Sequence, residues 1–397
     1  EICACLVGSE MCIRDSPTGG IGSVTKIVAE ELVKRGHEIF VVGYYPYNKT
    51  VPQYSCINGV KIYRLNLGLR DTKLKLKLFF LLLKIGLNHS IVQKELSYTE
   101  QFIESLIEKE HIDILELTDY YDFNACTRHK LYFRKFSVPT ILKIHGSVSF
   151  LNGLAKKSKD IYYVNDERHF SRCQHLTAVS QYALSCFFDK YNTDNFETKN
   201  VIYNPLECNF FKEQPLSKSK DILFIGKLVE TKGCYNLLRA FNAVYKKHPD
   251  WNLRLIGGGD INEAKKYLTL EAERNVIFLG YCDRETVQQA IDDCAFACIP
   301  SYFETFGMVA TEIMSRSRAL IFTNTTSGPE IIETNKTGLL VTPTDIEEIE
   351  NSINLLIEDK DFRNLISKNA YESCFSRLQV STIIDKIESQ YKMIKRL

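Results

Sequence analysis

Cys294 to Glu312 reads C-A-F-A-C-I-P-S-Y-F-E-T-F-G-M-V-A-T-E, and this stretch decides the fold. Ala295 to Ile299 is a short apolar run of a length suited to a buried parallel strand. Pro300 and Ser301 end it, because proline cannot donate to a ladder. Glu304 then sits among aromatics in the turn, and Gly307 opens a helix carrying Glu312. Strand, turn, helix N-terminus and two carboxylates form the pattern by which an α/β sheet presents a site at its carboxyl ends. Amides at Gly307 and Met308 favour a negatively charged group, such as a phosphate. Solvated glutamates on an ordinary strand–helix connection are the commoner reason for such a pair. The rest of the chain has to outweigh that reading.

Outward from this stretch the same alternation recurs. After it come strands at Ala319 to Phe322 and Gly338 to Val341; before it, at Asp221 to Ile225, Trp251 to Ile256 and Val276 to Leu279. Helices at Cys234 to Lys247, Glu285 to Asp293 and Gly307 to Ser317 separate them. A polar, proline-bearing segment from Glu207 to Lys220 reads as a linker. Ahead of it lies a second alternation, with strands at Glu38 to Val42, Lys61 to Tyr63, Ile112 to Leu117, Thr140 to His145, His175 to Val179 and Val201 to Tyr203. Its intervening helices include Tyr98 to Glu110 and Gln181 to Lys190. The pattern predicts α/β architecture, with two Rossmann-like, doubly wound domains facing across a cleft. Their expected extents are 1–205 and 206–375, with a final helix over about Ser376 to Arg396 expected to pack back on the first domain. Pro17 to Gly22 is a glycine-rich loop feeding the first helix. The apolar pattern of Glu1 to Ser16 is broken where a first strand should stand, and no function is placed before Pro17.

The bulk numbers restrict the function classes. The 397 residues carry 50 basic and 49 acidic side chains, a net charge of +1, which argues against a strong global field for nucleic acid. The 13 cysteines are odd in number and include no C-x2-C pair, so reduced thiols in a cytoplasmic protein are expected. No secretory leader pattern is present. Lys73 to Leu87 is basic and strongly apolar, but its uncharged core is far shorter than the roughly 20 residues needed to span a bilayer. Two readings stay open for it: a buried helix with snorkelling lysines, or an element lying on an anionic membrane face.

Four blocks around the second alternation point to one ligand type. Phe224-Ile225-Gly226-Lys227 ends a strand, and Lys232-Gly233 opens the next helix, so two cations stand where a diphosphate would be held without metal. Ile256-Gly257-Gly258-Gly259-Asp260 permits close backbone approach to a ligand. It lacks the G-x-G-x-x-G spacing of a dinucleotide site. Leu279-Gly280-Tyr281 provides a wall for a flat base, and the opening stretch supplies Glu304 and Glu312. Asp359-Lys360-Asp361, the one D-x-D, falls between two helices and reads as a cap rather than a metal site.

In this order the blocks F-I-G-K-L-V-E-T-K-G, L-R-L-I-G-G-G-D, V-I-F-L-G-Y and P-S-Y-F-E-T-F-G-M-V-A-T-E-I-M resemble glycosyltransferase family 4, with its two-domain GT-B fold. The first half adds G-G-I-G, K-I-H-G at 143 to 146 and V-I-Y-N-P at 201 to 205. The resemblance implies that Lys227 and Lys232 hold a donor diphosphate, and that Gly20, Gly226 and Gly258 approach the donor through backbone. It implies that Glu304 and His145 meet the transferred sugar, and Glu312 the ribose hydroxyls. Phe306, Gly307 and Met308 would line the sugar–phosphate junction, with Tyr281 near the base. It further implies a retaining, metal-independent hexosyltransferase without cofactor, using a UDP- or GDP-sugar donor and a glycan or lipid-linked acceptor. Polysaccharide assembly at the inner membrane face is the implied setting. After Glu312 the chain departs from the family pattern, with Ser317 and Ala319 where Gly and Pro are usual. The alternatives are a dinucleotide-dependent oxidoreductase, and an inactive relative that acts as a binding protein.

Overall fold

The computed structural model describes residues 2–8, 20–44, 53–65, 73–119, 121–146, 161–191, 195–213 and 217–396. The chain divides into two compact units, one of residues 1–205 with 383–397 and the other of residues 206–382. Each is built around its own Rossmann-like sheet, mostly parallel in the first unit and wholly parallel in the second.

The first sheet contains β1 (Cys3–Gly8), β2 (Glu38–Tyr44), β3 (Tyr54–Ile57), β4 (Val60–Leu65), β5 (Ile114–Thr118), β6 (Thr140–Ile144), β7 (His175–Ala178) and β8 (Thr198–Val201). They run in the order β3-β4-β2-β1-β5-β6-β7-β8. Of the stretch expected to hold an interrupted first strand, Cys3–Gly8 forms an unbroken β1 at the middle of the sheet, paired in parallel with β2 and β5, while residues 9–16 lie outside the described residues. Ile2 to Val7 are all buried, as a strand covered on both faces requires. A second correction is β3, the sheet's antiparallel strand, which sequence reading passed over. Its turn to β4 is Asn58-Gly59, with φ of 50° and 82°. Two consecutive left-handed residues are what a tight hairpin between right-twisted strands needs.

The second sheet is wholly parallel: β9 (Asp221–Ile225), β10 (Asn252–Ile256), β11 (Val276–Gly280), β12 (Phe296–Ile299), β13 (Ala319–Thr323) and β14 (Leu339–Val341). Their order is β11-β10-β9-β12-β13-β14. The winding reverses between β9 and β12, and in such sheets ligands bind beyond the carboxyl ends at that point. The helix Cys234–Lys247 covers this sheet with a stripe of Leu237, Leu238, Phe241 and Val244, all fully buried. Each such side chain contributes roughly 1.5–3 kcal/mol relative to exposure.

Two helix ends differ from expectation. The helix of the opening stretch is Met308–Met314, shorter than Gly307 to Ser317. Ser317 beyond it takes φ of 52°, a left-handed conformation that the more usual glycine adopts without strain. The single final helix is in fact two, Lys360–Leu378 and Val380–Ile394, broken at the extended Gln379. The amide of Leu206 donates to the carbonyl of Leu378 at this break, 2.9 Å. The last helix is tied within the first unit. Tyr391 donates to Glu116 at 3.1 Å, Gln390 bonds Thr177, and Lys395 pairs with Asp113 at 2.9 Å.

Candidate functional site

At the reversal point of the second sheet, β9 runs into Gly226-Lys227 and β12 into Pro300. Two turns meet there. Gly233, with φ of 71°, lies so close to Pro300 that a side chain at 233 would strike the Pro300 carbonyl. The amide of Tyr302 donates to the Thr231 carbonyl at 3.0 Å. This backbone contact brings two residues 72 positions apart into a charge pair, with Lys232 Nζ donating to Glu304 Oε1 at 2.6 Å. That is the length of a charge-assisted bond. Both groups keep access to solvent, Lys232 at 34% and Glu304 at 18% of the side chain. The Glu304 backbone is fixed by Thr326, whose hydroxyl accepts its amide at 3.2 Å. Thr326 carries no sequence signal that could have marked it.

The other expected residues of this unit fall around that pair. Lys227 is exposed at the end of β9, and the amide of Gly226 extends the ladder to Ile256 at 2.9 Å. Phe306 is buried, and Gly307 caps the helix Met308–Met314 with φ of 84°. Glu312 lies on that short helix, half-buried. The protein packed around its carboxyl pushes it up to about 7, with Arg284 pulling down and Glu207 pushing up. Arg284 pairs with Glu207 at 3.1 Å and stacks on the Phe210 ring. Neither Arg284 nor Glu207 was singled out from sequence as a site residue, since tertiary packing alone brings them near Glu312.

The glycine run divides in role. Gly257 and Gly259, with φ of 143° and 153°, press against the chain's own Gly226 carbonyl and Leu228. Their lack of Cβ serves the packing of one loop on another rather than a ligand. Gly258 between them has open space on its Cβ side. Asp260 caps the helix Ile261–Lys265. Tyr281 is 71% exposed, so it projects from the end of β11 as a free ring face. Asp359 accepts the Phe362 amide at 2.8 Å, the capping role read from sequence. Among the described residues no cluster of three metal-ligating side chains occurs.

In the first unit, Gly20 opens the helix Gly20–Lys34, while the rest of the expected loop, Pro17 to Gly19, lies outside the described residues. His145 stands just past the end of β6. Its amide and that of Gly146 donate to the two carboxylate oxygens of Asp119, at 3.0 and 2.9 Å. Asp119, at the end of β5, is therefore a positioning residue that sequence reading missed. An acid directly after an apolar strand was its available signal. Burial, with Lys143 nearby, pushes the His145 imidazole down to about 3, so the ring is neutral at neutral pH.

Comparison with known proteins agrees with this layout. Residues 207–373 match the family of glycosyl transferases group 1, and residues 18–210 match glycosyltransferase family 4. An uncharacterized glycosyltransferase of Methanocaldococcus jannaschii is 26% identical over 401 residues, 94% of each chain. Among solved structures, sucrose-phosphate synthase of Thermosynechococcus elongatus superposes with a TM-score of 0.77 at 16% identity, over 99% of both chains. HepE of Anabaena, solved with UDP and glucose, gives 0.70 at 18% identity, over 99% of this chain and 100% of that one. With two Rossmann-like units and both halves matched in order, the chain is a GT-B glycosyltransferase of the family 4 kind.

Proposed function

We propose that the chain moves a hexose-type sugar from a UDP- or GDP-linked donor to a glycan or lipid-linked acceptor, with retention of anomeric configuration and without a metal ion. The observation that carries this is the Lys232–Glu304 pair at the reversal point of the second sheet. As the bond to the leaving diphosphate lengthens, negative charge gathers on phosphate and positive charge on the sugar ring. A cation and a carboxylate already side by side match that separation, Lys232 toward the phosphate and Glu304 toward the ring. Lys227 adds a second cation, so the charge that a metal would otherwise offset is met by side chains.

The remaining roles follow from local chemistry. Glu312 holds ribose hydroxyls; Gly20, Gly226 and Gly258 offer backbone near the donor; Phe306, Gly307 and Met308 shape the sugar–phosphate junction; Tyr281 lies along the base. His145, being neutral, serves the transferred sugar as a hydrogen-bonding partner rather than as a cation. HepE, solved with UDP and glucose, supports a nucleotide-sugar donor. Assembly of a polysaccharide or another glycan at a membrane face is the setting in which such a transfer fits.

Titration calorimetry of the purified protein against UDP, GDP and NAD tests the reading. Binding of UDP or GDP that persists in excess EDTA is expected, and so is transfer. Binding of NAD with neither nucleotide diphosphate, or an obligate divalent ion, overturns it.

A further inference from the structure

The helix Lys73–Ile85 resolves the two readings of its sequence in part. Phe79 is buried, but Leu78, Leu81 and Ile85 stand in one row on the solvent side, with Leu81 55% exposed. Lys77 and Lys84, both exposed, form the neighbouring row. At about 3.6 residues per turn, positions 78, 81 and 85 share one stripe and 77 and 84 border it. A helix serving only as core would turn these leucines inward.

A second segment joins this face. The ring of His129 bonds the carbonyl of Gly86, just past the helix, at 2.8 Å and lies against His89. That contact fixes the exposed Arg128 and Lys130 beside the helix end, next to Leu87, which is 67% exposed. Charge is one-sided throughout. Neither Thr72 to Lys94 nor Phe123 to Phe136 contains a single aspartate or glutamate, in a chain whose acids and bases otherwise nearly balance. No described helix is long and apolar enough to cross a membrane.

We propose that this surface, the outer face of the helix over residues 77–85 together with Arg128 to Lys130, docks on a bilayer of anionic lipid. The leucine row enters the headgroup boundary while the basic side chains meet lipid phosphates. An exposed apolar row bordered by cations is the pattern of a helix lying in a lipid interface, whereas a second copy of this chain would place the same positive charges against each other. The proposal stands apart from the sugar-transfer reading, because docking needs neither donor nor acceptor.

Flotation of the full chain with vesicles tests it, phosphatidylglycerol in phosphatidylcholine against phosphatidylcholine alone. Binding to the anionic vesicles only, weakening as salt rises, is expected. Each of Lys77→Gln, Lys84→Gln, Arg128→Gln and Lys130→Gln should lower the partition coefficient about fivefold. Leu81→Ser should lower it comparably while leaving nucleotide binding unchanged. Equal binding to both vesicles, absence of binding to either, or a salt-insensitive dimer abolished by Leu81→Ser overturns the proposal. Should a variant unfold, the salt and lipid dependence of the parent chain alone still decides.

Discussion

Two lysine–glutamate pairs near the carboxyl ends of strands, one in each unit, stand in different surroundings. Lys143 and Glu116 meet at 3.2 Å in the first unit, with side chains only 8% and 11% exposed. The second Glu116 oxygen accepts the hydroxyl of Tyr391 from the last helix, 3.1 Å away. Burial beside that carboxylate holds the Tyr391 hydroxyl protonated, its pKa raised well above the ordinary value. Every strong partner of this pair is thus supplied from within. Lys232 and Glu304 are closer together yet more open, and among the described residues no third side chain bonds the ammonium or the carboxylate. The sealed pair has every partner that a structural role needs, whereas the accessible pair at the sheet's reversal point is the one proposed to meet the donor.

The largest effect that would break this comparison concerns the sealed pair. Lys143→Ala strands Glu116 as a buried charge and should cost about 3–5 kcal/mol of stability. Replacing Lys143 by Met and Glu116 by Gln together, which keeps an acceptor for the Tyr391 hydroxyl, should recover most of that loss. Urea midpoints at constant slope read both variants. A single variant as stable as the parent would remove the distinction.

For the open pair the expected balance is reversed. Lys232→Ala should lower kcat by ~10²-fold, as loss of one transition-state donor does. Its unfolding free energy should move by less than about 1 kcal/mol, the scale of a partly exposed ion pair. Lys227→Ala should follow the same pattern. Parental turnover in both variants would show that the diphosphate is held elsewhere.

A smaller effect sharpens the view of Glu312. Its carboxyl titrates near 7 in the folded chain and near the ordinary 4.5 when unfolded. Between those values the folded form binds the extra proton, so stability falls as pH rises from about 4.5 to about 7 and levels off above. Glu312→Gln should lack that decline while raising KM and the nucleotide dissociation constant together. Melting temperatures across this range, parent against variant, give the sign. Identical pH profiles would mean that Glu312 is solvated in solution.

The division between what sequence revealed and what it hid follows the range of the interactions. Continuous apolar runs such as Ile222 to Phe224 and Ala319 to Phe322 announced buried parallel strands, because burial on both faces leaves no alternation. The Asn58-Gly59 hairpin carried its own local signal and was passed over, since the flanking Tyr54 to Ile57 is largely exposed and short. Gly257 and Gly259 were legible as special backbone but not as to purpose: only the fold shows the Gly226 carbonyl pressed against them. Glu304 and Lys232 were each read as site residues, yet their pairing depends on the contact of Gly233 with Pro300, which no local pattern encodes.

The central claim is that the open pair meets a reacting donor, and kcat of Glu304→Gln tests it most directly. The substitution keeps the shape of the side chain and removes the charge that would face a sugar ring turning positive. A fall of about 10²-fold in kcat with little change in KM is the predicted result. Turnover at the parental rate would contradict it and make Glu304 a turn residue whose bond to Lys232 is structural only.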